Sequence, residues 1–110
     1  MPTTIELGST PITLINVFAV RPERQRELAD LLARATEEVM SGLPGFVSAN
    51  IHLAVDGTRV INYAQWRTEE DFTAMLADPV AQPHMRAAAE VAESYEPHLC
   101  SVDSVHAAGG

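Results

Sequence analysis

Apolar positions along the chain change period several times, and each change predicts an element. From Ile12 to Val20 the β-branched residues dominate, which predicts a strand. Pro22 then opens a helix, where its missing N–H is no loss. Leu28, Leu31, Leu32, Ala35 and Val39 recur at helical spacing and form one apolar face, which Gly42 and Leu43-Pro44-Gly45 end. Phe46–Val55 and Thr58–Arg67 flank Asp56-Gly57, a strong hairpin signal. Thr68-Glu69-Glu70-Asp71 is a capping-box variant that starts a short helix, turning Phe72, Met75 and Leu76 inward and stopping near Asp78-Pro79. A further helix is expected from about Pro83 to Glu93, and a last strand from Leu99 to His106. The order β-α-β-β-α-α-β is the split βαβ, ferredoxin-like arrangement of an α+β fold. Residues 1–11, with Gly8, Ser9, Thr10 and Pro11, read as a flexible arm. Residues 12–106 read as one domain and 107–110 as a disordered tail, with no internal repeat.

A two-residue turn at Asp56-Gly57 pairs Val55 with Thr58, Leu53 with Val60 and Ile51 with Asn62. One face of the hairpin then carries Val47, Ala49, Ile51, Leu53, Val55, Thr58, Val60, Asn62, Ala64 and Trp66. The other carries Phe46, Ser48, Asn50, His52, Ala54, Arg59, Ile61, Tyr63, Gln65 and Arg67. The first is apolar enough to lie under helices, apart from Asn62 and Trp66. A buried Asn62 amide needs a hydrogen-bond partner, and so does the Trp66 indole N–H. The two are either satisfied core residues or one pocket wall, about 7 Å apart along the strand. The second face is too polar for a core and too apolar for solvent, which suggests a sheet surface that meets another sheet in a dimer.

Charge narrows the partners. Fifteen acids stand against seven arginines, with no lysine, for a net charge of −8. That balance repels phosphate backbones and anionic lipid, so neither nucleic acid nor a membrane surface is expected. A single cysteine, Cys100, excludes an internal disulfide and a cysteine-based zinc site. The first residues lack a basic stretch followed by an apolar one, and no run reaches the roughly 18 apolar residues of a membrane span. A cytoplasmic location is the expectation. GxGxxG, the phosphate loop and GxSxG are all missing, so neither dinucleotide nor serine-hydrolase chemistry has support. The histidines at 52, 84, 98 and 106 show no metal-ligand spacing, and no metal is expected.

The stretch Gly45 to Trp66, and within it Asp56-Gly57-Thr58 and Asn62-Tyr63-Ala64-Gln65-Trp66, resembles the antibiotic biosynthesis monooxygenase family. The likeness spans roughly residues 12–106 and is greatest to the small quinone-forming monooxygenases of aromatic polyketide pathways. It implies a dimeric α+β barrel in which two four-stranded sheets meet. It also implies oxidation of an anthrone-like polyketide intermediate to a quinone by molecular oxygen, with no cofactor. Asn62 and Trp66 match the strand positions that bind and activate substrate in such enzymes, and Arg86 matches a functional arginine of the second helical region. Arg86 also reads as a surface ion-pair residue, with Gln82, Glu90 and Glu93 on its helix face. Phe72 departs from the pattern, since the actinorhodin-pathway type carries tyrosine there. Phe72, Met75, His84 and Ile51 are expected to bind substrate, with His84, in the same helical region as Arg86, the best side-chain base among the histidines. His52 matches a histidine of close relatives and, with Tyr63, is a further candidate, although both fall on the outer face.

Such chemistry asks little of a protein. A deprotonated anthrone is an electron-rich carbanion that can itself pass an electron to oxygen, so the substrate does a cofactor's work. Two other readings stand beside it. A haem-degrading enzyme shares the fold and matches at Asn16, but carries tryptophan where Met75 stands and a haem ligand near, not at, His84. A non-catalytic polyketide-binding or cyclase-assisting subunit would use the same apolar pocket.

Overall fold

The computed structural model describes residues 2–109, so Met1 and Gly110, the ends of the expected arm and tail, lie outside the described residues. The β-branched run forms strand β1, Gly8–Ala19, and the amphipathic pattern after it forms helix α1, Gln25–Glu38. Single 3-10 turns at Pro22–Arg24 and Met40–Gly42 bracket that helix. The hairpin follows as β2, Phe46–Leu53, and β3, Arg59–Trp66; then come α2, Glu69–Leu76, α3, Gln82–Val91, and β4, Ser94–Val102. The sheet is antiparallel in the order β2-β3-β1-β4, and its element order is the one read from the sequence.

Several boundaries move. β1 begins at Gly8 rather than Ile12, because its pairing with β4 runs past an irregularity to Gly8 opposite Val102. The last strand begins at Ser94 and ends at Val102, rather than spanning Leu99–His106. Pro97 hid its start, yet β4 is an edge strand, where the missing N–H breaks no ladder. The Glu93 N–H donates to the Ala19 carbonyl at 2.8 Å and ties the end of the helical layer to the sheet.

The hairpin register is the expected one, with Ile51 opposite Asn62 and Leu53 opposite Val60, but both its ends differ. The turn is a loop rather than two residues. Ala54 bonds across to Arg59, and the Gly57 N–H donates to the Ala54 carbonyl, so Val55 to Thr58 bulge out with Gly57 at φ +82. Val55 therefore stands in solvent instead of pairing with Thr58. Two extra loop residues, one on each side, leave the strand parity intact. At the far end Val47 is a bulge, since Phe46 pairs with Trp66 and Ser48 with Gln65. The extra residue swaps the expected faces: Phe46 turns under the helices and Val47 turns outward, 48% exposed.

Helix α2 starts as its cap predicts, with the Asp71 N–H donating to the Thr68 hydroxyl at 3.1 Å. The shorter Asp71 carboxylate accepts from that same hydroxyl at 3.0 Å. Asp71 also lies against Gly45, whose φ of +83 suits glycine and where a Cβ would collide with the Asp71 side chain.

The core between sheet and helices is two clusters. Leu14, Ala64, Trp66, Phe72, Met75 and Ala81 form one. Phe18, Val20, Leu28, Val60, Ala88 and Val91 form the other. Inward positions alternate along β1 as Leu14, Asn16, Phe18 and along β3 as Val60, Asn62, Ala64. A pair of asparagines thus stands at the seam between two apolar clusters.

Candidate active site

Asn16 and Asn62 are directly opposed in the β1–β3 ladder, which sets their Cβ atoms about 5 Å apart. The Oδ1 of each is buried and accepts no hydrogen bond. A lone unmade hydrogen bond at a buried polar atom costs about 1–3 kcal/mol, so two side by side in a core ask for a ligand. Both line an inner chamber of about 90 Å³, walled by Leu14, Phe46, Ala64, Trp66, Met75 and Met85 among others. A carboxamide has an acceptor and two donors, so this pair can meet a carbonyl, an oxyanion or a phenolic hydroxyl.

Trp66 is 2% exposed and held edge-on by two rings. Phe46 lies 5.5 Å away at 86°, and Phe72 lies 6.3 Å away at 67°. The bulge at Val47 makes the first contact possible, since it brings Phe46 opposite Trp66. Asn62 and Trp66 share a face with Ala64 between them. At a strand rise of about 3.3 Å they are therefore about 13 Å apart along β3, not the shorter distance expected. A ligand that touches both is long.

The other candidates separate. Met75 lines the inner chamber, whereas Phe72 stands behind Trp66 as part of its support. Ile51 packs against the second core cluster and is not on the inner chamber wall. His84 lines an adjoining outer chamber of about 160 Å³ together with Phe18, Leu76, Met85 and Tyr95. Leu76, expected to point into the core, is 44% exposed and sits on that outer wall. Arg86 is exposed on α3 and lines neither chamber, although its neighbour Met85 lines both. It takes part in none of the ion pairs found among the described residues, so the expected pairing with Glu90 or Glu93 is not formed. His52 and Tyr63 lie on the opposite face of the sheet, beside Thr3, Ile5 and Asn50.

On that outer face Thr3, Ser48, Asn50 and Gln65 are tied by side-chain hydrogen bonds. The Ser48 hydroxyl donates to Gln65 Oε1 at 2.7 Å, and Gln65 Nε2 donates to the Thr4 carbonyl at 2.8 Å. The Thr3 hydroxyl donates to Asn50 Oδ1 at 2.8 Å, and Asn50 Nδ2 donates to the Tyr63 carbonyl at 3.0 Å. Among the described residues no three His, Cys, Asp or Glu side chains gather as a metal site, and no helix is long and apolar enough to cross a membrane.

The sequence reading gave Asn16 no part in a quinone-forming site. Its signal was available: in the strand read from Ile12 to Val20 it is the one amide among β-branched and apolar residues, on the face of Leu14 and Phe18.

A ferredoxin-like α+β sheet with helices on one face, enclosing an apolar chamber with a few convergent polar groups, has the form of a small-molecule site. Residues 11–91 match the antibiotic biosynthesis monooxygenase family, and the chain belongs to it. It is 50% identical over 99 residues to Tetracenomycin-F1 monooxygenase of Streptomyces glaucescens, covering 90% of this chain and 88% of that one, which marks it as an oxidoreductase. The fold superposes with a TM-score of 0.81 on the monooxygenase of gene ActVA-Orf6 of Streptomyces coelicolor, solved with nanaomycin D, at 26% identity over 91% of this chain and 94% of that one. It also superposes with a TM-score of 0.77 on SnoaB, a cofactor-independent oxygenase of Streptomyces nogalater, at 24% identity over 87% and 96% of the two chains.

Proposed function

We propose that this protein is a cofactor-independent monooxygenase that oxidises an anthrone-like aromatic polyketide intermediate to a quinone. The observation that carries the reading is the pair of amides, Asn16 and Asn62, whose buried Oδ1 atoms accept no hydrogen bond, in an apolar chamber that Trp66 also lines. The half-identical Tetracenomycin-F1 monooxygenase supports it.

In the reaction the anthrone methylene loses a proton and its oxygen gains charge. Asn62, with Asn16 opposite, donates an Nδ2–H to that oxyanion, and its unfilled Oδ1 accepts from a phenolic hydroxyl of the same substrate, in a chamber walled mostly by apolar side chains. One such donor contributes about 3–4 kcal/mol to the transition state in comparable oxyanion sites. The carbanion passes one electron to molecular oxygen, and recombination forms a peroxide at the former methylene carbon. Loss of water from the peroxide leaves the carbonyl, so one methylene and one oxygen molecule give one quinone carbonyl and one water. Trp66 offers its ring edge and N–H to the fused rings, held in place by Phe46 and Phe72. Phe72 has no hydroxyl to move a proton, and we assign the base to His84 on the outer chamber wall. Arg86, outside both chambers, acts by charge on an approaching anionic substrate.

We further propose a homodimer that joins outer sheet faces. Ile15, Val17, Ile61 and Tyr63 are only half-buried there, and nearly all of β4 is exposed. Sedimentation at micromolar concentration must give a dimer, and a monomer defeats this part.

The deciding assay is oxygen uptake with a panel of anthrones and naphthacenones. The expected result is one oxygen consumed per quinone formed, unaffected by chelator and without added flavin, nicotinamide or metal. No uptake with any of the panel, or strict dependence on an added cofactor, overturns the reading.

A further inference from the structure

The inner and outer chambers have four wall residues in common: Leu32 and Ala35 of α1, Met40 in the turn after it, and Met85 of α3. At about 90 Å³ the inner chamber is small. A dry cavity of about 150 Å³ takes one benzene ring, so a fused-ring molecule that reaches Asn16 and Asn62 must extend beyond it. The outer chamber, about 160 Å³, is the adjoining space, and its walls include the more exposed Leu76 and Tyr95. Of the four shared residues, Leu32 and Ala35 are fixed on α1. The two methionines are half-buried, unbranched and flexible, the side chains best able to swing aside at low cost.

We infer that Met40 and Met85 are a movable partition between the chambers, through which a fused-ring substrate lies, and that they set the longest ring system accepted. The reacting ring sits against Asn16 and Asn62. The distal ring meets Leu76 and Tyr95, and the polar tip of Tyr95 suits an oxygenated edge; Tyr95 is steadied by Phe18, 6.0 Å away between ring centres. The inference rests on the proposed fused aromatic substrate class and adds what selects among its members.

Trp66 is the only tryptophan, so its fluorescence reports occupancy of the inner chamber without turnover. Wild type, Met85→Phe and Met85→Ala are titrated under nitrogen with a three-ring anthrone and a four-ring naphthacenone. Met85→Phe narrows the opening and must weaken the four-ring ligand about tenfold more than the three-ring one. Met85→Ala must move that ratio the opposite way, by about threefold or more. A ratio that stays constant, or shifts the same way in both variants, overturns the partition, since general loss of packing gives no opposite signs. If Met85→Phe fails to fold, the ratio in Met85→Ala decides alone. A wild type that binds both ligands but consumes no oxygen defeats the proposed function and leaves the partition standing.

Discussion

Asn62 and Gln65 lie three residues apart on β3, carry the same amide chemistry and face opposite sides of one sheet. Gln65 is 3% exposed and engaged through both its oxygen and its nitrogen, accepting from Ser48 and donating to the Thr4 carbonyl. Asn62 has a buried oxygen that accepts nothing. Burial is therefore not what separates a structural amide from a functional one; the filling of its hydrogen bonds is. A filled amide holds segments together, here the first residues of the chain to β2 and β3. An unfilled one keeps its bonding capacity for a ligand at a cost the surrounding core carries.

The largest expected effect breaks the functional side of this pair. Asn62→Ala removes the donor to the oxyanion and should lower kcat on an accepted anthrone by about two to three orders of magnitude. Because its oxygen is already unsatisfied, the same change should leave the melting temperature unchanged or raise it. Unaltered turnover in Asn62→Ala, or a clear loss of melting temperature, would mean that Asn62 is a structural amide after all.

Gln65→Ala probes the other side. It leaves the Ser48 hydroxyl without its acceptor and frees Thr4, so stability in urea should fall by about 1–3 kcal/mol. Turnover per folded molecule should stay within about twofold, a small change for a residue that touches no substrate. A large drop in kcat at unchanged stability would show that the two faces do not divide labour in this way.

The fold was largely legible because hydrophobic periodicity survives in a single chain: one helical stripe, one hairpin and one capped helix fixed the element order. What the periodicity could not carry were events that depend on the partner strand. The bulge at Val47 reverses Phe46 and Val47 without altering composition, and Pro97 disguises an edge strand. The site was half legible. Asn62 and Trp66 stood out as polar members of an apolar face, whereas Asn16 becomes meaningful only when β1 lies beside β3. Placing His84 in the outer chamber and Arg86 outside both needed the packing of α3 against the sheet, which spacing within α3 does not encode.

Arg86 tests a residue that belongs to neither amide class. It is exposed, one turn before Ala89 on the outer chamber wall. Arg86→Ala should raise KM a few-fold for an anionic substrate at low salt, with less effect at high salt, since the Debye length shrinks to about 3 Å at 1 M. The melting temperature should barely move, as for other exposed positions. Normal kinetics at every salt concentration would reduce Arg86 to a surface charge.

The smallest effect sharpens the comparison with a filled group that titrates. Asp56, in the hairpin loop, accepts from the Thr58 hydroxyl at 2.7 Å and the Thr58 N–H at 2.9 Å. These two bonds hold its carboxyl below the usual carboxylate range. A carboxyl with a folded pKa below its unfolded value of about 3.9 stabilises the fold above that value and loses the contribution as pH falls through the folded pKa. Asp56→Asn cannot ionise, so wild type should exceed it in urea midpoint at pH 7, and the gap should close as the pH is taken below about 4. Glu27, whose pKa Arg24 lowers by a hydrogen bond, titrates alike in both proteins and cancels from the difference. Since the loop is exposed, the gap is small and should shrink further in salt. A gap that holds constant from pH 7 into acid would mean that the Thr58 bonds do not depend on the charge, and that the loop gains its shape from Gly57 alone.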